Sequence, residues 1–201
     1  MSEYQDSTKQ ARVIDKEERK ALWYEMSDKP IYEALSRLSY YLVARADDVR
    51  HLKRSYITKA GYIRVYQPKT KTFKRMALHE GITSAIDLVP VGKTDYIFEG
   101  QGKDGLISLK PYNRVLKDRA ELIGLDGVSG HSLRRSACTE LYHEFVRLNY
   151  ETNDPSKYID PYRAVAKYSG HKNLDNLIRY INIDAARVDD LSKAYMLSTM
   201  N

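Results

Sequence analysis

Apolar residues recur at intervals of three and four along the segment that follows Pro30. The series comprises Ile31, Leu35, Leu38, Leu42, Val49 and Leu52. This spacing is typical of one helical face packed on a core. Arg45 occupies the position that would complete the series, and a guanidinium buried there would need partners or a ligand. A break between two helices would instead turn Arg45 outward, with Asp48 as an ion-pair partner. The pattern leaves both interpretations open.

The patterns in the rest of the first half predict further helix and a small sheet. Asp15 and Glu18 have the spacing of a capping box, so a helix is expected to begin there. β-forming residues at 55–58, 62–66 and 73–78 flank two turns and predict an antiparallel meander. Residues 79–107 contain several glycines and are expected to be irregular, apart from a short strand at 96–98.

Helix signals continue through the second half of the chain. One helix is expected over about 108–123, and another opens just after His131. Asp160 and Pro161 start the next helix, and Gly170 ends it. A short helix or turn then carries Tyr180, and a last amphipathic stripe comprises Ala185, Val188, Leu191 and Tyr195. The predicted fold class is therefore mainly α with a small antiparallel β meander (α+β).

The composition narrows the class of protein. The 201 residues suit one domain, and the net charge of +6 with a pI near 9.2 favours a polyanionic partner without identifying one. The single cysteine, Cys138, cannot form an internal disulfide, which suits a reducing compartment. The polar N-terminus lacks the apolar core of a signal peptide, and the apolar stretches are too short to cross a bilayer. We therefore expect a soluble cytoplasmic protein with no membrane partner.

The candidate chemistry lies in a set of residues spread along the chain. A tyrosine can attack phosphorus only if cations neutralise the phosphate and an acid protonates the leaving oxygen. The chain supplies both kinds of group, in the order Arg45, Lys69, His131, Arg134, His171 and Tyr180. His131 and Arg134 form a His-x-x-Arg motif, and Tyr180 follows His171 by nine residues. This order and spacing resemble the catalytic domain of tyrosine recombinases, the phage integrase family, over roughly residues 13–183.

The resemblance implies a phosphate site built on two arginines. Arg45 and Arg134 would each present a planar fork of donors to the non-bridging phosphate oxygens. Asp48 would orient Arg45 or His131 rather than react itself. The chain departs from the family near this site, because Arg135 stands where a second histidine is common and Ala44 lies near a usual glycine.

The remaining residues would carry the proton transfers and the covalent step. Tyr180 would be the nucleophile and would form a 3′-phosphotyrosine. His131 would take the tyrosine proton or hydrogen-bond the phosphate, and His171 would be a further donor to that phosphate. Lys69, on the second turn of the meander, would protonate the departing 5′ oxygen. Lys71 and Lys74 lie on the same hairpin and are the alternatives for this role.

No cofactor and no metal are expected for this chemistry. The chain lacks a Walker loop and an H-E-x-x-H pair. Asp47, Asp48 and His51 could gather a cation on one helix, but an exposed cluster of helical charges is the favoured interpretation.

The resemblance also predicts domains and partners. We expect a flexible arm at 1–12, a catalytic domain at 13–183, and a C-terminal helix at 184–201 that docks on its own domain or is exchanged between protomers. The expected partners are double-stranded DNA and further copies of the chain, which would form a tetramer in the synapse on nucleoid or host-cell DNA. Accessory DNA-bending proteins are compatible with this scheme.

The predicted function is site-specific recombination of a mobile genetic element, by integration, excision or inversion. Strand relaxation like that of a type IB topoisomerase is one alternative, because it shares the tyrosine chemistry. A non-catalytic DNA-binding regulator with the same fold is the other. A pure binder needs phosphate contacts but no tyrosine at this spacing.

Overall fold

The computed structural model describes residues 11–102, 104–152 and 154–181. In chain order these residues form α1 (Lys16–Glu25), α2 (Pro30–Tyr41), α3 (Ala46–Arg50), β1 (Ile57–Thr58), β2 (Tyr62–Gln67), β3 (Thr72–Ala77), α4 (Glu80–Asp87), α5 (Leu109–Leu122), α6 (Ser132–Glu151), α7 (Pro161–Ser169) and α8 (Leu174–Tyr180). Short 3-10 turns lie at Arg54–Tyr56 and Pro155–Lys157. The predicted fold class, mainly α with a small antiparallel meander, is confirmed.

The chain divides into two compact units, residues 1–137 and 138–201, and the boundary falls within α6. The first unit contains α1 to α5 and the sheet, and the second contains α7 and α8. The domain limits expected from the sequence stay a prediction. The expected arm lies almost entirely outside the described residues, and the stripe Ala185, Val188, Leu191 and Tyr195 lies wholly outside them.

Helix α1 begins with the predicted capping box, which is confirmed. The Asp15 carboxylate accepts hydrogen bonds from the amides of Glu17 and Glu18, both at 2.9 Å. The Glu18 carboxylate in turn accepts from the Asp15 amide at 3.0 Å. These bonds satisfy amides that the first helical turn leaves without partners.

The apolar stripe of the second helical segment is interrupted just before Arg45. Helix α2 ends at Tyr41, and the Ala44 amide donates to Ser39 O at 3.0 Å while the Val43 amide donates to Tyr40 O at 2.9 Å. This bonding pattern is a Schellman motif, in which the residue with left-handed backbone is usually glycine. Here that residue is Val43, with φ of 48°. A β-branched side chain in this conformation costs about 1–3 kcal/mol, so the surrounding structure must hold it.

The break places the apolar residues of both helices in one core. Leu35, Leu38, Leu42, Val49 and Leu52 are all fully buried. Arg45 is the N-cap residue of α3, and its side chain is 27% exposed to solvent. The interpretation as two helices is therefore confirmed, but Arg45 is half-buried rather than turned outward.

The sheet has the order β1-β2-β3 with antiparallel pairing throughout, as predicted. Ile63 pairs with Met76 and Val65 with Lys74, and the apolar members of these pairs are buried. Because side chains alternate across a strand, Lys74 shares the inner face of the sheet with Val65. Lys69 lies on the turn between β2 and β3, where it was expected.

The expectation for residues 79–107 is wrong in two respects. Glu80–Asp87 form α4, and 96–98 do not form a strand, since Tyr96 makes only an isolated bridge with Lys53. Ile82, Ala85 and Ile86 have helical spacing and are buried, so tertiary packing outweighs the low helix propensity of Gly81. Gly81 gives the Tyr41 ring room, because an added Cβ would lie 2.7 Å from Cζ of Tyr41 and the ring would have to shift.

The later helices follow the predicted signals. Ser108 caps α5 and Asp160 caps α7, each through its side-chain oxygen. Gly170 ends α7 with φ of 76°, the left-handed conformation that glycine adopts without strain. Asn173 caps α8, whose last residue is Tyr180. No helix in 11–102, 104–152 or 154–181 has the length and apolar character needed to cross a membrane.

Candidate active site

Arg45 and Asp48 are joined at the start of α3. The Arg45 amide donates to Asp48 Oδ2 at 3.1 Å, and Arg45 Nη1 lies 3.6 Å from the same oxygen. Asp48 is 1% exposed. Arg45 Nη1 is also buried, and it has no hydrogen-bond partner among the residues that the structure describes. The guanidinium is therefore held near a carboxylate while one of its nitrogens keeps donor capacity for a ligand.

Arg134 reaches the same carboxylate from α6. Its side chain is 1% exposed, and its Nη1 lies 3.9 Å from Asp48 Oδ2. Both guanidinium distances are longer than a hydrogen bond, so the contacts are electrostatic. One carboxylate thus faces two permanently charged guanidiniums. Two guanidiniums held together in a partly desolvated place attract an anion strongly.

His131 lies next to the two arginines, in the turn that begins α6. The Ser132 hydroxyl accepts from the Ser129 amide at 2.9 Å, and the Ser129 hydroxyl accepts from the His131 amide at 3.3 Å. The residue remains accessible to solvent, but neighbouring protein atoms displace part of its hydration. This desolvation lowers the pKa of His131 below its ordinary value near 6.5, and the charges of Arg134 and Arg45 lower it further. The imidazole is therefore neutral at pH 7 and can accept a proton.

We call Arg45, Asp48, His131 and Arg134 the arginine cluster. The first residues that the structure describes form hydrogen bonds with α6, the helix that carries Arg134. The Ile14 amide donates to the Ser136 hydroxyl at 2.9 Å, and Arg135 Nη1 donates to Ala11 O at 2.6 Å. Arg135, which stands where a second histidine is common in tyrosine recombinases, therefore bonds Ala11 to α6.

Lys69 is not brought to the arginine cluster. It is exposed on the β2–β3 turn, and its ammonium makes no hydrogen bond or ion pair within the described residues. The lysine that does reach the neighbourhood of Arg45 is Lys74. Its Nζ donates to the main-chain carbonyls of Leu42 and Val43. Sequence reasoning missed this contact, because a main-chain carbonyl has no residue-specific signal.

The second unit brings His171 and Tyr180 together. Their ring centroids are 5.3 Å apart, with an interplanar angle of 55°. Ser169 Oγ lies 2.6 Å from His171 Nδ1 and 2.7 Å from Val165 O. A carbonyl cannot donate, so the hydroxyl proton points to Val165 and Ser169 accepts the Nδ1 proton of His171. This bond fixes the imidazole tautomer, with the proton on Nδ1.

We call Ser169, His171 and Tyr180 the tyrosine cluster. Ser169 was not among the residues predicted to act, although its place two residues before His171 was a usable signal. The arginine cluster belongs to the first unit and the tyrosine cluster to the second. The catalytic roles assigned to these residues from the sequence stay predictions.

The model of the phage integrase family matches residues 12–150. The chain therefore belongs to the phage integrase family, whose name the sequence pattern had suggested. No curated protein sequence matches it significantly.

Solved structures agree on the fold. A XerA recombinase structure has a TM-score of 0.67 at 16% identity and covers 92% of this chain and 65% of its own. A post-cleavage complex of XerH site-specific recombinase with a palindromic difH substrate has a TM-score of 0.66 at 18% identity, covering 92% of this chain and 54% of its own. A lambda integrase dimer bound to a COC' core site has a TM-score of 0.64 at 17% identity, covering 88% and 49%. The chain thus spans between about half and two thirds of these proteins.

Proposed function

We propose that this chain is a site-specific DNA recombinase that cleaves and rejoins duplex DNA through a 3′-phosphotyrosine link to Tyr180. The observation that carries the proposal is the arginine cluster, in which two guanidiniums converge on one buried carboxylate. Two arginines held together suit a phosphodiester, and they can stabilise the additional charge of a five-coordinate transition state. Family membership and the recombinase fold support the same chemistry.

The cleavage step can be written with every proton placed. Tyr180 Oη attacks the phosphorus while Arg45 and Arg134 hold the non-bridging oxygens. The bond between phosphorus and the 5′ oxygen breaks, the tyrosine proton passes to neutral His131, and the 5′ oxygen receives a proton from Lys69. No oxidant or reductant is needed. Religation is the reverse, with a 5′ hydroxyl attacking the phosphotyrosine.

Two requirements of the proposal concern groups that stand on different elements of the chain. Tyr180 and the arginine cluster must act on one phosphate, and the β2–β3 turn must bring Lys69 to the leaving oxygen. Catalytic contacts are often completed only when substrate is bound, so the exposed position of Lys69 is compatible with its role. The proposed partners are duplex DNA and other copies of this chain. Solved structures of lambda integrase include a dimer bound to a COC' core site and a tetramer bound to a Holliday junction.

Covalent capture on nicked DNA tests the proposed function. Duplexes selected by binding from a random pool would carry a nick close to the cleaved bond, so that the short leaving strand diffuses away and the adduct accumulates. We expect an adduct that maps to Tyr180 and is lost in Tyr180→Phe, with DNA affinity nearly unchanged. Tyr158→Phe, which alters an exposed tyrosine of the same unit, is the matched control and should keep the adduct.

Other outcomes would assign the chain differently. Tight binding without any adduct would make the chain a DNA-binding regulator with a recombinase fold. An adduct followed by release of supercoils without strand exchange would favour the topoisomerase alternative. An adduct on a tyrosine other than Tyr180 would refute the proposed nucleophile.

A further inference from the structure

In the turn that precedes Arg45, Val43 has a backbone conformation that valine disfavours. Val43 has φ of 48° and is buried, and it lies two residues before Arg45. A branched Cβ crowds the neighbouring carbonyl in the left-handed region, which is why glycine is the usual residue at this point of a Schellman motif. Left to itself, the Val43 backbone would relax toward negative φ, and the peptide planes leading to Arg45 would rotate.

The end of α2 also leaves carbonyl groups without helical partners. The amides of Val43 and Ala44 satisfy Tyr40 O and Ser39 O within the turn. The carbonyls of Leu42 and Val43 follow the last residue of α2, so no later helical amide can bond them. They receive hydrogen bonds from Lys74 Nζ, which lies 3.1 Å from Val43 O and also contacts Leu42 O.

The contact joins elements far apart in sequence. Lys74 pairs with Val65 across the sheet, so its aliphatic stem lies on the inner face. Its ammonium reaches the turn that follows α2. One ammonium bonded to two consecutive carbonyls fixes the orientation of both peptide planes. These two peptide planes lie on either side of Val43. The second plane continues into Ala44, the residue before Arg45.

We propose that Lys74 is a positioning residue for Arg45, which locks the left-handed turn at Val43 and thereby sets where the guanidinium meets the scissile phosphate. This inference rests on the proposed function for its effect on cleavage. It assigns Lys74 a role through the main chain, distinct from that of the proton donor Lys69.

A double-mutant cycle tests the proposal. Lys74→Met keeps the stem but removes the ammonium, and Val43→Gly removes the conformational penalty that the ammonium offsets. At saturating nicked DNA we expect Lys74→Met to slow cleavage by about tenfold to a hundredfold, because small misplacements of a catalytic group have effects of this size. DNA affinity should change little. Adding Val43→Gly should recover most of the lost rate, whereas Lys59→Met, which alters an exposed lysine on the turn before β2, should cleave like the unaltered chain.

Hydrogen exchange gives a readout that does not depend on cleavage. The amides of Val43 and Ala44 should exchange about tenfold or more faster in Lys74→Met, since the bonds that close the turn open more often. Protection should return in Lys74→Arg, which keeps a donor, and in the double variant with Val43→Gly. This experiment decides the inference even if the unaltered chain forms no DNA adduct and the proposed function fails.

Three results would overturn the proposal. Unchanged cleavage and exchange in Lys74→Met would show that the turn holds without the ammonium. A rate loss that Val43→Gly leaves unrepaired, with normal protection of the turn, would show that Lys74 acts directly on DNA. If Lys74→Met does not fold, a double variant that also fails to fold would show a structural role unrelated to Val43.

Discussion

The arginine cluster and the tyrosine cluster place reactive groups by different physical means. In the arginine cluster, one buried carboxylate attracts two guanidiniums, and Arg134 and Asp48 are each about 1% exposed. In the tyrosine cluster, a hydroxyl, an imidazole and a phenol meet at the ends of two short helices. In the first cluster, burial keeps the charged groups in place. In the second cluster, one hydrogen bond and one ring contact orient the imidazole and the phenol.

This difference predicts how each cluster responds to change. Removing a buried charge leaves its partners uncompensated, so alterations in the arginine cluster should affect both stability and chemistry. The helix that carries Tyr180 has seven residues and depends on packing of Leu177 and Ile181, since isolated helices of this length are marginal. Alterations of polar groups in the tyrosine cluster should affect chemistry alone.

The largest effect is expected from Arg134→Lys. The charge is kept, but the planar fork that can hold two phosphate oxygens is lost. Single-turnover cleavage should fall by about a hundredfold to a thousandfold, as for removal of one donor to a developing oxyanion. DNA affinity should change by less than about tenfold. Arg147→Lys on the same helix, an exposed residue paired with Glu144 and Glu151, is the control and should cleave normally. Near-normal cleavage by Arg134→Lys would show that Arg134 only contacts the DNA backbone.

Asp48→Asn should have the next largest effect, on stability. Two guanidiniums would then face each other without their carboxylate, and breaking a buried pair costs about 3–5 kcal/mol. Thermal unfolding with and without phosphate measures this loss, and phosphate should restore more stability in the variant than in the unaltered chain. Asp47→Asn removes an exposed partner of Arg50 on the same helix, and it should cost about 1 kcal/mol or less. Equal losses in the two variants would contradict a special role for Asp48.

Ser169→Ala should change the tyrosine cluster without unfolding it. Loss of the acceptor for His171 Nδ1 frees the imidazole to adopt the other tautomer and to rotate. We expect cleavage to slow by about tenfold, as for loss of a group that orients a catalytic histidine, while thermal stability changes by no more than about 1 kcal/mol. Ser156→Ala, an exposed hydroxyl in the second unit, is the control. A large drop in melting temperature in Ser169→Ala would erase the contrast between the two clusters.

The smallest effect concerns pH. Because desolvation and the charges of Arg134 and Arg45 lower the pKa of His131, the unfolded chain binds its proton more readily than the folded chain. This group therefore contributes stability above pH 6.5, and the contribution is lost as the pH falls through the lowered value. An NMR titration of the His131 ring should show a midpoint below 6.5 in the free protein. Added phosphate should raise the midpoint, and a midpoint at or above 6.5 without phosphate would show that the arginines do not act on His131.

Several features followed from local sequence alone. The capping box at Asp15, the caps Ser108 and Asp160, and the stop at Gly170 depend on bonds within one helical turn. The meander and the position of Lys69 on its second turn follow from strand periodicity and turn residues. Helix α4 was missed because Gly81 was taken as a local breaker, although the Tyr41 ring packs closely against that glycine.

What the sequence determined by itself is the family, the order of the reactive residues and the local signals that start and stop the helices. The tertiary structure alone decided that Asp48 faces Arg134 as well as Arg45, and that Lys74 bonds the carbonyls of the turn at Val43. The physical reason is distance along the chain. Side-chain periodicity reports contacts within one helical turn or one strand. Asp48 and Arg134 are 86 residues apart, and Lys74 lies 32 and 31 residues from the carbonyls that it bonds. Contacts over such separations form only when the core folds.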